Sequence, residues 1–393
     1  MRLGAILVGL SLALPSTASG FQLKRTDAGE VVRWETAQVR LLAAPSVDGL
    51  TGGASASRAL LDGALAPWLA IDGSPLAMES GSTTQDAVGY DTEAPETNRS
   101  LVVAVDRLPE GVPDGLAVTF VTYRPETGEI VDADVVVRTH GVHYSTSGER
   151  GRYDLQSVLT HEIGHALGLE HEPAVLAATM FPEIGKGETA GRTLDADDEA
   201  GFLEIYGQAG ADVAVRYGGC STAPGAPGLA AIAGLLGMLA LALRRPFVRR
   251  AVLSIFVAAA LFAVPAVAEE GVPAHFVAAS VRADLVVVGT VRRVESRWTG
   301  RWVETVAEIE VRRSVGQAPA SLAVRTIGGE ADGVGTWVAG AARFRPGEKV
   351  AVALARAESG VSPVSGADGV LALEDDAQEG DSVLQAVRWA SGD

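Results

Sequence analysis

Apolar and polar positions follow different rhythms in different parts of the chain. Val31 to Leu42 alternates in the manner of a half-buried strand, and Ala54 to Ala70 places Leu60, Leu61, Leu65 and Trp68 at helical spacing. The apolar runs Leu101 to Val105 and Leu116 to Tyr123 predict two more strands, and the turn residues Thr127-Gly128 introduce another from Ile130 to Val137. A second helix follows, with Asp154 placed to cap it and Leu155, Val158, Leu159, Ile163 and Ala166 forming its buried face. These elements predict an α+β domain in which helices cover a twisted mixed sheet.

After Tyr217 the rhythm breaks. Pro224, Gly225, Pro227 and Gly228 read as a linker, Leu229 to Leu243 is almost wholly apolar, and Arg244, Arg245, Arg249 and Arg250 surround a short interruption. A second apolar run, Ala251 to Ala268, ends in Ala266-Val267-Ala268, the small-residue pattern of a signal peptidase site. From Glu269 onward helical periodicity is lacking. Alternating runs at Leu285 to Val294, Thr305 to Val311, Leu322 to Ile327 and Lys349 to Leu354, separated by Gly-containing turns, predict a small all-β barrel or sandwich.

The first residues form one more segment: Arg2, an apolar stretch from Leu3 to Leu14, then Ala18, Ser19 and Gly20 before Phe21. That is the layout of a cleaved signal peptide, and its apolar core is shorter than the roughly 18 residues that span a bilayer. The expected partition is a signal peptide at 1–20, a catalytic domain at 21–215, a linker, apolar helix and Arg cluster at 216–250, a second apolar segment at 251–268 and a β domain at 269–393. Two arrangements suit the apolar segments. Either 229–243 and 251–268 both contact the membrane as a hairpin with the arginines inside, or 251–268 is a second signal peptide and the chain joins two exported proteins. Export to the outer surface or beyond is expected in both.

Composition narrows the chemistry. Against 49 acidic residues stand 32 Lys and Arg, and the net charge of -17 argues against nucleic acid as a partner. The one cysteine, Cys220, closes no bridge within the chain, so packing and metal must stabilise the exported part.

The candidate chemistry lies in Thr160-His161-Glu162-Ile163-Gly164-His165-Ala166-Leu167-Gly168-Leu169-Glu170-His171. On a helix, residues i and i+4 share a face, so His161 and His165 can aim at one ion. Gly168 accepts positive φ, which lets the chain reverse and return His171 as a third ligand. Three imidazoles leave a fourth tetrahedral position for water, the layout of a catalytic zinc, and Glu162 beside the first ligand is placed to serve as general base.

This stretch resembles the metzincin zinc proteases, and its surroundings resemble their matrixin branch. Asp154-Leu155-Gln156-Ser157-Val158 resembles the entry to the family's active-site helix, Thr127 to Asp134 the strand before its cleft, Ala178-Thr179-Met180-Phe181-Pro182 its Met-turn, and Leu194 to Gly207 its closing helix. The resemblance implies a zinc endopeptidase acting on proteins or peptides, with Met180 beneath the ligands, Phe181 and Pro182 at the pocket for the residue after the cut, and Asp197 and Asp198 bracing the last helix. His140 and His143 alone precede the motif in the region where some relatives bind a structural zinc, so one catalytic zinc is expected. Asp132 and Asp134 are carboxylates of the kind calcium uses, though no ligand motif accompanies them.

Residues 219–245 resemble the C-terminal sorting tails of myxobacterial surface proteins, which makes Cys220 a candidate processing or anchoring site. The strands of 269–393 resemble OB-type barrels, the fold class of tissue metalloprotease inhibitors, so this β domain is expected to be a substrate-binding module or an inhibitor of the adjacent protease, and contact between it and the protease domain is a further expectation. The competing reading of the whole chain is a catalytically weak, zinc-binding adhesion protein on a protease-like scaffold.

Overall fold

The computed structural model describes residues 20–207, 272–357, 360–374 and 378–391. The expected leader, Cys220, the Pro/Gly linker, both apolar runs and the Arg cluster lie outside the described residues. Among the described residues no helix is long and apolar enough to cross a membrane.

In chain order the N-terminal elements are β1 (Gln38–Ala43), α1 (Pro45–Thr51), α2 (Ala54–Leu69), β2 (Ala77–Ser82), β3 (Ser100–Val105), β4 (Ala117–Tyr123), β5 (Ile130–Arg138), the short β6 (Tyr144–Ser145) and β7 (Tyr153–Asp154), α3 (Leu155–Ala166) and α4 (Ala196–Tyr206). After residue 271 come α5 (Ala274–Val281), β8 (Leu285–Trp298), β9 (Val303–Val315), β10 (Ser321–Ile327), β11 (Gly329–Ala331), β12 (Val334–Val338), β13 (Lys349–Ala357), β14 (Gly360–Pro363), β15 (Val370–Leu373) and α6 (Gln378–Ser391).

A seven-stranded sheet runs in the order β11-β12-β4-β5-β3-β1-β2. β1 lies parallel to β2 and β3, β3 is parallel to β5, and β4 and β12 are antiparallel to their neighbours. All seven residues of β4 are buried, because both faces of this strand are covered. On one face pack α2 and α3: Leu61, Leu65 and Trp68 meet Leu155, Leu159 and Ile163, and Trp68 Nε1 donates to the Thr160 carbonyl at 3.0 Å. Each such side chain taken from water contributes roughly 1.5–3 kcal/mol, which fixes α3 firmly under the sheet. The other face gathers Leu101, Val118, Phe120 and Val136 with Ile327 and Val338, and Phe120 stacks on Trp302.

Apart from β6 and β7, which pair with each other, the remaining strands run β14-β10-β9-β8-β13-β15, and a β14 to β13 pairing closes a small barrel. β10 and β14 are parallel, the other pairs antiparallel. Val287, Val291, Ala307, Ile309, Val350 and Val352 fill it.

Two differences from the sequence pattern have physical causes. The strand expected over Val31 to Leu42 begins only at Gln38. Val31 and Arg33 instead make single bridges to Arg25 and Glu129, and Trp34 Nε1 donates to Ala166 at the end of α3. The last segment also carries the helices α5 and α6 among its strands, although its sequence shows no helical periodicity. Among the described side chains α6 buries the apolar stripe Val383, Leu384 and Val387, and α5 buries Phe276 and Ala279, short stretches that hardly register against the surrounding strands.

Candidate metal centre

α3 is fixed at both ends. At its start the Asp154 carboxylate accepts from the Ser157 backbone N–H and hydroxyl at 2.9 Å and from Arg192 Nε at 2.8 Å. Burial alone would raise the Asp154 pKa, yet the Arg192 and Ser157 hydrogen bonds outweigh it and hold the carboxyl below its usual range. At its end Gly168 takes φ +95°, and a Cβ there would lie 2.2 Å from the Val32 carbonyl oxygen. Only glycine turns the chain at this point without strain. The Leu169 N–H then bonds back to Gly164 O, and the segment passes Leu23 toward His171.

The turn brings His161, His165 and His171 together, with ring centroids 4.7–5.2 Å apart. One nitrogen from each lies within 4.8 Å of the others. His161 Nδ1 is 2.6 Å from the Thr179 carbonyl and His165 Nδ1 2.7 Å from that of Leu169. A carbonyl only accepts, so each Nδ1 carries the proton and each Nε2 lone pair is free for a metal. Burial, reinforced for His165 and His171 by the neighbouring imidazoles, lowers all three pKa values, that of His171 to about 3. The set is therefore neutral at physiological pH. A tetrahedral ion with bonds near 2.0–2.1 Å separates its nitrogens by about 3.3 Å, and the 3.1 Å between the Nε2 atoms of His161 and His165 fits zinc.

Glu162 faces the same space. Thr119 Oγ1 on β4 donates to its Oε2 at 2.6 Å, and burial pushes its carboxyl up to about 7 against the lowering effect of that hydrogen bond. The imidazoles and Glu162 share a cavity of about 610 Å3 with Leu116 to Thr119, Phe181, Pro182 and Ile184. His275, Arg282, Ala339, Gly340 and Ser365 line its other side.

Met180 lies beneath the helix, its Sδ 2.3 Å from where a Cβ on Gly164 would sit, so glycine is what admits the sulfur. The turn carrying Met180 hangs on Asp198, whose carboxylate accepts from the N–H groups of Thr179 at 2.7 Å, Met180 at 3.0 Å and Asp195 at 2.8 Å. Since Thr179 O in turn accepts from His161, Asp198 orients a candidate ligand at two removes. Asp198→Ala is expected to weaken zinc affinity about tenfold, measured by competition with a chromophoric chelator. Unchanged affinity would show that the turn holds without it.

Asp132 and Asp134, the candidate calcium ligands, are buried on β5 and already engaged. Asp132 accepts from Ser100 Oγ at 3.2 Å, and Asp134 accepts from the N–H groups of Leu101 at 2.8 Å and Gly89 at 2.6 Å. Burial raises both carboxyls, Asp134 to about 7, with a hydrogen bond between the pair. These partners account for both side chains without a cation, and nothing supports calcium here. Because the folded state holds a proton that the unfolded chain releases near pH 4, stability falls as pH rises from about 4 to 7. Asp132→Asn supplies a permanent donor in place of that proton. A higher Tm than the native chain at pH 8, with the gain shrinking toward pH 5, is the expected result, and a lower Tm at pH 8 would contradict it. Of the two histidines that precede the motif, His140 meets Asp106 at the surface at 3.3 Å, and the His143 carbonyl accepts from the Tyr153 N–H at 2.9 Å.

The metal-ligand geometry, the capped helix and the Met180 turn fall within one segment that has known counterparts. Residues 107–207 match the family model described as Matrixin. The chain is 48% identical over 54 residues to Metalloendoproteinase 1-MMP of Arabidopsis thaliana, covering 14% of each chain. It is 37% identical over 87 residues to Metalloendoproteinase 4-MMP of the same plant, 22% of this chain and 24% of that one. Matrilysin of Rattus norvegicus is 37% identical over 65 residues, 16% of this chain and 24% of its own. The matched stretches thus span between about a seventh and a quarter of these relatives. The matrixin family is zinc-dependent, and in its segment here His161, His165 and His171 form a cluster able to bind a metal.

Sequence reasoning missed three contributors to this centre. Thr119 reads as an ordinary strand threonine, Arg192 ends a single 3-10 turn (Ala190–Arg192), and Trp337, whose ring meets His165 edge-on with centroids 5.6 Å apart, comes from a strand distant in sequence. None carries a local signal.

Proposed function

We propose that the chain is an exported zinc endopeptidase that hydrolyses peptide bonds in proteins or peptides through a metal-activated water. The observation that carries this reading is the shared cavity in which three neutral imidazoles converge beside a carboxylate of raised pKa. His161, His165 and His171 would hold the ion. When bound, zinc supplies a Lewis acid for the scissile carbonyl and lowers the pKa of a water from about 15.7 to about 7.

The protein's own groups do the remaining work. Thr119 fixes Oε2 of Glu162, so the carboxylate meets water in one orientation through its other oxygen. Glu162 takes the proton from that water and returns it to the departing amine, an exchange suited to a carboxyl that titrates near neutral pH. Phe181, Pro182, Ile184 and Leu116 give the cavity an apolar wall, which selects an apolar residue after the cut. Asp198 and Met180 keep the ligands in register.

A leader at 1–20 would carry this activity outside the cell, and 208–271, with Cys220 and the apolar runs 229–243 and 251–268, would either attach the protease to a surface or, with 251–268 as a second signal peptide, part it from the β domain. The alternative of an adhesion protein on an inert scaffold has no observation in its favour, since Glu162 is present and oriented. Incubating the full chain with a library of internally quenched peptides tests the reading. Cleavage that vanishes with chelator and returns with zinc is expected; a library left uncut both by the zinc-replete chain and by its zinc-replete Gly335→Leu variant would refute it.

A further inference from the structure

A peptide that reaches Glu162 has one sheet edge to lie along. β4 supplies Thr119 to Glu162 and lines the cavity from Ala117 to Thr119, and its opposite edge is taken by β5. Extended chains are commonly bound by adding a strand to such an edge. Here that edge is filled by the chain itself. β12 runs antiparallel along it, with Gly335 opposite Tyr123, Thr336 opposite Thr122, Trp337 opposite Val121 and Val338 opposite Phe120. The next residues, Ala339 and Gly340, enter the cavity, where a Cβ on Gly340 would stand 3.6 Å from His171 Cε1.

The docking is held in several places. Trp337 is 2% exposed and meets His165, while Lys24 Nζ lies 5.8 Å from the rings of Trp337 and Tyr123. Glu330 on β11 accepts from the Asp27 N–H at 2.8 Å and from Tyr123 Oη at 3.1 Å. On the far side of the cavity Arg282 pairs with Asp114 at 3.6 Å. A surface in casual contact would not bury a tryptophan against a candidate metal ligand.

We infer that the C-terminal β module is a built-in inhibitor of the matrixin segment, docked through the 329–343 hairpin as a strand on β4 in the place a substrate would take. This regulates the site proposed above and therefore rests on the zinc-peptidase reading. The hairpin must leave β4 before an extended substrate can reach the imidazoles, so the full chain is latent in proportion to the fraction of time it is docked.

Two variants of the full chain test this. Gly335 sits against Tyr123, and a Cβ on it would lie 2.3 Å from the ring, so Gly335→Leu pushes β12 away from the edge. Conversely, Tyr123→Cys with Gly335→Cys, in a Cys220→Ser background, places two thiols at directly opposed positions and fastens the strand when oxidised. The first readout is binding of tetra-alanine hydroxamate to the zinc-loaded chain, which requires access along β4 but no hydrolysis. The second is turnover of a quenched peptide.

A hairpin docked at least nine-tenths of the time weakens apparent binding about tenfold or more, so Gly335→Leu, by releasing it, should bind the hydroxamate at least about tenfold more tightly than the native chain. The oxidised double variant should bind more weakly than the native chain and regain affinity on reduction. Equal hydroxamate affinity in native, Gly335→Leu and oxidised forms would overturn the inference, as would weaker binding by zinc-loaded Gly335→Leu. Tighter binding in Gly335→Leu with no peptide cut by any form would uphold the docking and refute the peptidase reading instead.

Discussion

Glu162→Gln is expected to lower kcat/KM for peptide cleavage by about 10²–10⁴-fold while leaving one zinc per chain, because the amide cannot take a proton from water. The substitution is gentle on the fold. Its carbonyl oxygen can still accept from Thr119 Oγ1, which now bonds Oε2 at 2.6 Å, and its volume matches the buried glutamate. Steady-state kinetics with metal analysis on the same preparation makes the comparison. A variant as active as the native chain would show that another group handles the proton. A variant that lost its metal would instead assign Glu162 to holding the ligand set together.

His165→Ala has the other large effect, and it acts on metal and stability together. His165 is buried with its Nδ1 committed to Leu169 O and its ring against Trp337, so no neighbour can replace its Nε2. Zinc binding should drop below one equivalent at micromolar metal, and cleavage should fall to background. A ligand at a thousandfold excess over its Kd stabilises the folded state by about 4 kcal/mol. Adding zinc to the metal-free native chain should therefore raise its Tm, whereas the variant should show little change. An equal zinc-dependent rise in both would contradict the assignment of this residue as a ligand.

The parts of the centre that could be read from the sequence are those whose geometry is local. His161 and His165 are one helical turn apart, Asp154 caps their helix, and Gly168 turns the chain, so spacing alone predicts that the three imidazoles meet. α2, α3 and strands β3 to β5 announce themselves through apolar period for the same reason. β2 does not: Ala77–Ser82 is small and polar and joins the sheet by pairing its backbone in parallel with β1. β12 is hidden in a different way. Val334–Val338 is short, contains a glycine, and earns its buried position only from β4, more than two hundred residues earlier. Thr119 and Asp198 likewise act through partners that pairing and packing supply, Thr119 across the sheet to α3 and Asp198 from α4 to the Met180 turn.

That contrast explains why a short motif suggests chemistry while the control of that chemistry stays out of sight. A metal site needs a few donors on one rigid helix. An occluding strand needs only an edge, and β-edges are recognised through backbone groups that every sequence has.

The most direct test of the account is the metal itself. X-ray absorption at the zinc edge, on full-length protein loaded with one equivalent, should show nitrogen scatterers at about 2.0–2.1 Å with the outer-shell pattern of three imidazoles. A chain that retains no zinc after gel filtration, or a spectrum with fewer than three imidazoles, would contradict it.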